Sequence, residues 1–507
     1  MSRNKDKSIA KATAYVLVVT IASKIIGFVE SALVAAFFGT SANLDMFYLA
    51  NTIANRFIFT IFSGLSVVGL TLYNNARHND PNKGDRFITA LIIYMVPLGI
   101  LVTAIIYIAA PWVASIMASN YAKEQQFILT SYLRNLSFIS VFYVLTTILT
   151  CVLNANKKFL PGAFIGGFQN IIVIIFILIL SEEIGVKSIV WGFIVAYVLQ
   201  TLFLYFFASS VFKPRSCSLI KDIDIRRILI LIFPLLIGEA TAEVNTLVDQ
   251  FLATNQGAGY VSGLSYSETL NDVVTSLFMQ TITTVLLSYF SALAVKKNYA
   301  EMLSELKTIF KYITLILIPI SIITCTNADR IVSFVFERGN FDSISVNITA
   351  TALIGYAIGF VFRTLMVIAK RPFFAIENTR VPMTIGIITV AINISLSIVL
   401  SKILGIFGIT VSTSISYIIA CIIYFVLLSK YFKEMSWHDC LPFLKNISIA
   451  TLFAIIITLS INGIMPPNNF MALVIVTTIC FLTYFGILYI TKTPELMSLK
   501  EKLINKK

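Results

Sequence analysis

Apolar residues along this chain occur in long, nearly unbroken runs. They do not alternate as in a half-buried strand, and they do not form the narrow stripe of a soluble helix. A membrane-spanning helix needs about 20 predominantly apolar residues. Runs of that kind lie at 12–38, 44–74, 87–110, 127–153, 160–181, 187–210, 228–254, 259–290, 308–325, 344–369, 381–402, 406–429, 446–463 and 469–491. The links between them are short, and none holds a soluble domain. The pattern predicts an all-α membrane protein of fourteen transmembrane helices. The polar, basic stretch Met1–Lys11 precedes a long apolar run that leads into further membrane sequence. It reads as the start of a first spanning helix rather than a cleaved signal.

Composition agrees with this pattern. Of 507 residues, 58% are hydrophobic and 12% are charged, and the mean hydropathy is +0.88. That is about half the charge a soluble surface uses, which excludes a cytosolic enzyme, a disordered chain and a nucleic-acid-binding domain. The formal net charge of +13 has to be read by position, because membrane proteins gather Lys and Arg on the cytoplasmic side. With the N-terminus inside, 29 of the 38 basic residues fall in inside segments. Only Lys123, Lys187, Arg330, Arg338 and Lys402 fall outside. This bias supports an even number of spans with both termini cytoplasmic. It makes the charge an orientation signal and an attraction to anionic membrane lipids, with no nucleic-acid partner required. The six cysteines are scattered without a C-x-x-C pair. His78 and His438 have no second ligand at helical spacing. Neither a disulfide framework nor a metal site beyond a sodium ion is expected.

The chain shows signs of internal repetition. The stretch Ala32–Thr40 ends the first span and Thr246–Thr254 ends the seventh, with Leu, Val, Phe and Thr matching at a constant offset of 214 residues. That offset carries the first span onto the seventh. It suggests two parallel six-helix lobes around a central cavity, residues 1–225 and 226–432, followed by two C-terminal helices and a tail in 433–507.

Ionisable residues inside spans are costly and usually face a partner or a hydrated cavity. Here they gather in the first two spans of each half. These are Lys24 and Glu30; Asp45 and Arg56, with the neutral amide Asn55 beside them; Glu239, Glu243 and Asp249; and Glu268 and Asp272. Arg134 and Arg363 lie in the fourth and tenth spans. Glu239 and Glu243 are four apart, as are Glu268 and Asp272, so each pair shares a helix face. Asp45 and Arg56 are eleven apart, which at about 100° per residue returns to nearly the same face. Two readings follow: the charges line a substrate or ion pathway, or they neutralise one another as buried pairs that set helix packing. Asp249, with Asn393 and Ser397 one turn apart on the eleventh span and Thr413 on the twelfth, suits a hard monovalent cation or a proton carrier. Ser and Thr in spans also serve helix packing. No G-x-x-x-x-G-K-[ST] loop, catalytic triad or metal-ligand set is present. The chain therefore reads as a transporter and not an enzyme, without a cofactor, and driven by a sodium or proton gradient or by the membrane potential.

The residues also resemble a known family. Ser23–Glu30, Ala36–Gly39 and Asp45–Phe47 look like the opening of the MurJ/MviN-type lipid II flippases, of the multidrug/oligosaccharidyl-lipid/polysaccharide exporter superfamily. Leu247–Ala253 with Gly263–Tyr266, Phe336–Phe341, and Phe373–Ala375 with Asn378–Pro382 are similar to later segments of that family, in order across nearly the whole chain. The resemblance implies alternating access that moves an undecaprenyl-pyrophosphate-linked sugar across the bacterial inner membrane, with the last two spans forming a lipid-tail groove. The cavity expected from the intramembrane polar residues uses Lys24, Glu30, Asp45, Asn55, Arg56, Glu243, Glu268, Asp272 and Arg363, and of these Asp45, Asn55 and Asp272 match the family's pattern. The resemblance also implies an ion site using Asp249, Asn393 and Thr413. The sequence departs from the family where arginines are expected. Glu30, Ile58 and Thr269 stand at arginine positions, Ser31 stands for an aspartate, and a carboxylate expected near Ser397 is absent. Lys24 keeps its charge, and Arg56 lies beside Ile58. The expectation is a monomeric flippase with lipid II as its leading substrate. A flippase for another lipid-linked polysaccharide unit and a cation-coupled multidrug exporter are the alternatives. A non-transporting scaffold would have no reason to keep the cavity charges.

Overall fold

The computed structural model describes residues 2–218, 223–432, 437–465 and 470–504. They form helices with no strand among them. In chain order the helices are α1 Ser2–Phe38, α2 Ala42–Asn51, α3 Phe57–Asn79, α4 Pro81–Met117, α5 Lys123–Ser137, α6 Ile139–Ala155, α7 Phe159–Ile184, α8 Lys187–Ala208, α9 Ile225–Thr254 and α10 Tyr260–Val295. There follow α11 Tyr299–Thr326, α12 Ala328–Phe336, α13 Ser343–Ala357, α14 Phe360–Ala369, α15 Arg371–Ala375, α16 Arg380–Tyr431, α17 Leu441–Asn462, α18 Phe470–Ile490 and α19 Pro494–Ile504.

Among the described residues, ten helices are long and apolar enough to cross a membrane. The number is eleven if α13 and α14–α15, bent by 42° at a short break, form one span. The expected second span is broken by a π turn at Thr52–Arg56 between α2 and α3. The expected eleventh and twelfth spans run together as α16, which is interrupted at Gly405 (φ 60°, ψ −137°). A backbone there with positive φ and strongly negative ψ is essentially restricted to glycine. Helices α9 and α10 occupy the positions of the seventh and eighth spans.

The chain divides into two compact units, 1–262 with 338–341, and 263–337 with 342–507. The first unit continues through α9, past the 225/226 boundary read from the repeat. The reason lies in contacts between α9 and the second span. Gln250 Nε2 donates to Thr52 Oγ1 at 2.8 Å, and Glu243 pairs with Arg56.

In lipid, helices gain little from hiding apolar surface, so close packing by small residues and interhelical hydrogen bonds hold them. In the first unit, Gly27 of α1 lies against Asn170, and Gly167 of α7 lies against Ser23. Ser140 Oγ of α6 donates to the Gly99 carbonyl of α4 at 2.7 Å. In the second unit, Gly355 and Gly359 flank the α13–α14 bend and lie against Thr410 and Ser414 of α16, and Ser414 Oγ donates to the Gly355 carbonyl at 2.6 Å. Leu306, Phe310, Leu365, Phe373 and Tyr424 form one apolar core of that unit. Leu315, Ile322, Ala450, Ala454, Cys480 and Tyr484 join α11, α17 and α18 in another.

The segment 338–341 is tied to the end of α1. Asn340 N–H donates to the Ala36 carbonyl at 2.8 Å, and Asn340 Nδ2 to the Phe37 carbonyl at 2.5 Å. Gly339 has φ +57°, and a Cβ on it would strike the Ala36 carbonyl. Gly339→Ala is therefore expected to lower the thermal midpoint of the detergent-solubilised chain. Left-handed backbone costs about 1–2 kcal/mol for an L side chain, and the collision adds to it. Gly166→Ala, in a helix with open space around the new methyl, is the control and should leave the midpoint unchanged or raise it.

Candidate functional site

The site residues read from the sequence fall into three structural situations. The first is an ion pair that is partly open. Arg56 closes the π turn, and its Nη1 lies 2.8 Å from Glu243 Oε2 of α9. The arginine side chain is 41% exposed and the carboxylate 16%. The cation can thus be reached while its counter-charge is held behind it. In the second unit the order is reversed: Arg363 Nη1 of α14 lies 3.0 Å from Asp272 Oδ1 of α10, with the arginine 25% and the aspartate 64% exposed. Tyr356 OH donates to Glu268 Oε1 of α10 at 3.3 Å.

Asp45 is in the second situation. It is fully buried, and its carboxylate is taken up by protein donors. Gly259 N–H lies at 2.5 Å, Ser262 N–H at 2.7 Å and Tyr121 OH at 2.7 Å. The two amides belong to the first turn of α10, so Asp45 caps that helix from α2. The positive end of the helix favours a carboxylate there. Tyr121 sits in the turn between α4 and α5. Burial, and then the neighbouring Asp45 carboxylate, push its hydroxyl pKa well above the usual range, so it stays a donor. The expected shared face of Asp45 and Arg56 is not realised. The π turn between them adds a residue to the helical turn and shifts the register, leaving Asp45 capping α10 and Arg56 facing Glu243.

The third situation is a set of neutral oxygens. Asn393 Nδ2 donates to Thr413 Oγ1 at 2.9 Å, and Ser397 Oγ lies 3.5 Å from Asn393 Oδ1. All three residues are buried within α16, on the two arms that Gly405 folds together. Asp249 is buried in the first unit, where Asn245 Nδ2 lies 3.4 Å from its carboxylate. Of the remaining residues, Lys24 is exposed and Glu30 half-buried on α1. Asn55 bonds back to Asn51. The Glu239 side chain lies outside the described residues. Arg134 lies over the Tyr107 ring at 4.8 Å.

Sequence reasoning missed Tyr121, Tyr356, Gln250 and the α10 amides. A loop tyrosine and a backbone N–H carry no pattern that spacing could reveal.

A family model described as lipid II flippase MurJ matches residues 34–480. The chain belongs to the MurJ lipid II flippase family. The probable lipid II flippase MurJ of Treponema pallidum is 24% identical over 469 residues, 89% of this chain and 87% of the relative. That of Vibrio cholerae is 27% identical over 433 residues, 81% of each chain. Among solved structures, the inward closed conformation of a lipid II flippase MurJ superposes with a TM-score of 0.80 at 24% identity, covering 94% of this chain and 98% of the other. An inward-facing multidrug resistance transporter of the MATE family superposes at 0.67 with 14% identity, covering 82% and 96%. The chain therefore has the MurJ fold and is a multi-pass membrane protein.

The two kinds of charge contact differ in what their removal should do. Asp45→Ala leaves the buried Gly259 and Ser262 amides short of an acceptor, while Tyr121 OH keeps the Gly257 carbonyl at 3.0 Å, and is expected to cost about 3 kcal/mol. In a double-mutant cycle, Arg56→Ala and Glu243→Ala should couple by no more than about 1 kcal/mol, because that pair is partly solvated. Thermal unfolding of the four variants in one detergent checks the order; a larger cost for the Arg56–Glu243 pair would reverse the assignment.

Proposed function

We propose that this protein flips an undecaprenyl-pyrophosphate-linked glycan precursor, with lipid II as its substrate, across the bacterial inner membrane by alternating access. Membership of the MurJ family is the observation that carries the reading. The cavity-type cations Lys24, Arg56 and Arg363 supply contacts suited to a pyrophosphate, since guanidinium groups bind its oxygens in a bidentate fashion. Arg56 and Arg363 each already hold a carboxylate. The substrate therefore has to compete with Glu243 or Asp272, and the cation is kept neutralised until a more highly charged anion arrives. Glu30, Asn55 and Glu268 complete the polar lining, and Asp45 keeps the end of α10 in place. A flippase for another lipid-linked polysaccharide and a multidrug exporter are less well supported, because the relatives named above are lipid II flippases.

The topology that goes with this function has fourteen spans and both termini in the cytoplasm. The 52-residue α16 counts as two spans, and α9 and α10 as one each. Two six-helix lobes would enclose the substrate, α17 and α18 would form a groove for the lipid tail, and the protein would act as a monomer without a cofactor. Asp249 is proposed as the carboxylate through which sodium or protons act. Asn393 and Thr413 are proposed as neutral oxygen donors for sodium.

The test is complementation of a strain depleted of its lipid II flippase, together with flipping assayed in vesicles. The unsubstituted chain is expected to rescue growth. Lys24→Ala and Arg56→Ala should each slow flipping about tenfold, the loss of one charge-assisted hydrogen bond, while the protein stays inserted. Normal flipping by both variants would remove the pyrophosphate-gripping role. Asp249→Asn is expected to flatten the dependence of flipping on sodium; an unchanged sodium response would exclude Asp249 from coupling.

A further inference from the structure

Among the described residues, ten have a backbone with φ well into positive values. Six are glycines: Gly39, Gly185, Gly257, Gly259, Gly339 and Gly405. The other four are Lys157, Lys297, Glu377 and Lys492. The two classes divide by position. In the topology proposed above, every glycine lies in an outer connection and every non-glycine lies in a cytoplasmic one. Gly185 and Gly405 have ψ −139° and −137°, a conformation essentially restricted to glycine; the four non-glycines stand at cytoplasmic helix ends where glycine would be unstrained and an L side chain is not.

The four positions share one geometry. Each follows the end of a helix, α6, α10, α15 or α18. The N–H of the left-handed residue bonds a carbonyl three residues back, and the next N–H bonds a carbonyl five residues back. For Lys157 these partners are Asn154 and Leu153, at 3.0 and 2.9 Å. For Lys297 they are Ala294 and Leu293, at 2.9 and 3.0 Å. For Lys492 they are Tyr489 and Leu488, at 3.1 and 3.0 Å. This is the Schellman helix end, in which glycine is the usual residue. The three lysine side chains are exposed, and none makes an ion pair among the described residues. The strain is thus not offset by an ion pair among the described residues.

Their surroundings indicate what lies next to them. Two or three residues from each lysine stands a large apolar side chain that is well exposed: Phe159 and Leu160, Val295, and Tyr489 and Ile490. Val295 is 85% and Ile490 78% exposed. Such side chains belong in lipid, and a cation a few ångströms further along the chain then lies at the headgroup level. Glu377 has no comparable neighbour and stands in a stretch that already contains Lys370, Arg371 and Arg380. We propose that Lys157 of the first unit and Lys297 and Lys492 of the second bind the headgroups of anionic phospholipids in the cytoplasmic leaflet, and that this binding is why lysine stands where glycine would be less strained. The inference rests on the proposed orientation of the spans but not on the transported substrate.

The sign of the substitution effects makes the idea testable. The purified full chain would carry Lys157→Gly, Lys297→Gly and Lys492→Gly together. In mixed micelles its preference for phosphatidylglycerol over phosphatidylcholine, measured as lipid retained after detergent exchange, should fall by about fivefold per site. Its thermal midpoint in neutral detergent without lipid should match or exceed that of the unsubstituted chain, since glycine relieves the strain. The corresponding triple Lys→Arg variant should keep the phosphatidylglycerol preference. An unchanged preference in the glycine variant would overturn the proposal. So would a lower midpoint without lipid, because the lysines would then be stabilising the helix ends through the helix dipole. Maleimide labelling of Lys157→Cys, in intact cells and in inside-out vesicles with the unsubstituted chain as blank, separates the orientation from the inference. Labelling only in inside-out vesicles is expected. Labelling from outside would overturn the orientation, and the lipid assignment with it.

Discussion

A charge carried into a bilayer has to be paired, hydrogen-bonded or hydrated, because the hydrocarbon offers it nothing. Much of what distinguishes this molecule follows from how each intramembrane charge meets that requirement. Asp45 is satisfied completely by protein donors and is lost from the solvent-accessible surface. Arg56 and Arg363 are each paired with a carboxylate and remain partly open. The difference decides what each can do. A carboxylate with three donors around it has little capacity for a ligand. A guanidinium has five N–H donors, and at Arg56 and Arg363 the paired arginine side chain stays 41% and 25% exposed.

The same scarcity of driving force governs the packing. Without water to expel, the helices of each unit are held by close approach and by hydroxyl-to-carbonyl bonds, as at Gly99 and Ser140 in one and at Gly355 and Ser414 in the other. Each of these needs a residue small enough to let two backbones meet. The α13–α14 bend and the fold at Gly405 both lie against such contacts in the second unit, so the irregular backbone there has protein around it. That is the condition under which a bilayer tolerates it.

How much of this could be read from the sequence depends on the range of the interaction. The helices were legible because a run of apolar residues is a local property; the bounds of the runs at 160–181 and 187–210 agree with those of α7 and α8 to within three residues, and the run at 87–110 lies inside α4. The break at Gly405 was readable as the gap between 402 and 406. The π turn was not, since Thr52–Arg56 has an ordinary helical composition, and it overturned the shared face expected for Asp45 and Arg56. That Arg56, Glu243, Asp272 and Arg363 need polar partners was legible from the cost of burying them. Their pairing was not, because Arg56 and Glu243 are joined across the packing of α3 on α9, and that packing also extended the first unit beyond the boundary suggested by the repeat. Tyr121 could not be found at all, since its role depends on where a loop returns.

The pairing also bears on the arginines that this sequence lacks relative to its family. With Glu30, Ile58 and Thr269 where the resemblance implies arginines, the intramembrane set has fewer cations than carboxylates. If every carboxylate were free, a pyrophosphate would be repelled. In each unit, however, carboxylates are committed: Asp45 to the end of α10, Glu243 to Arg56, Asp272 to Arg363. A committed carboxylate contributes little net field at a distance, because its charge is cancelled nearby. What an approaching anion meets is then set by exposure more than by the count of charges. It meets the guanidinium of Arg56 before Glu243, and Lys24 without a carboxylate against it among the described residues. A lining with few arginines can present a cationic face in this way, provided the acids are held behind the bases, and the Arg56–Glu243 pair in the first unit is arranged in that order.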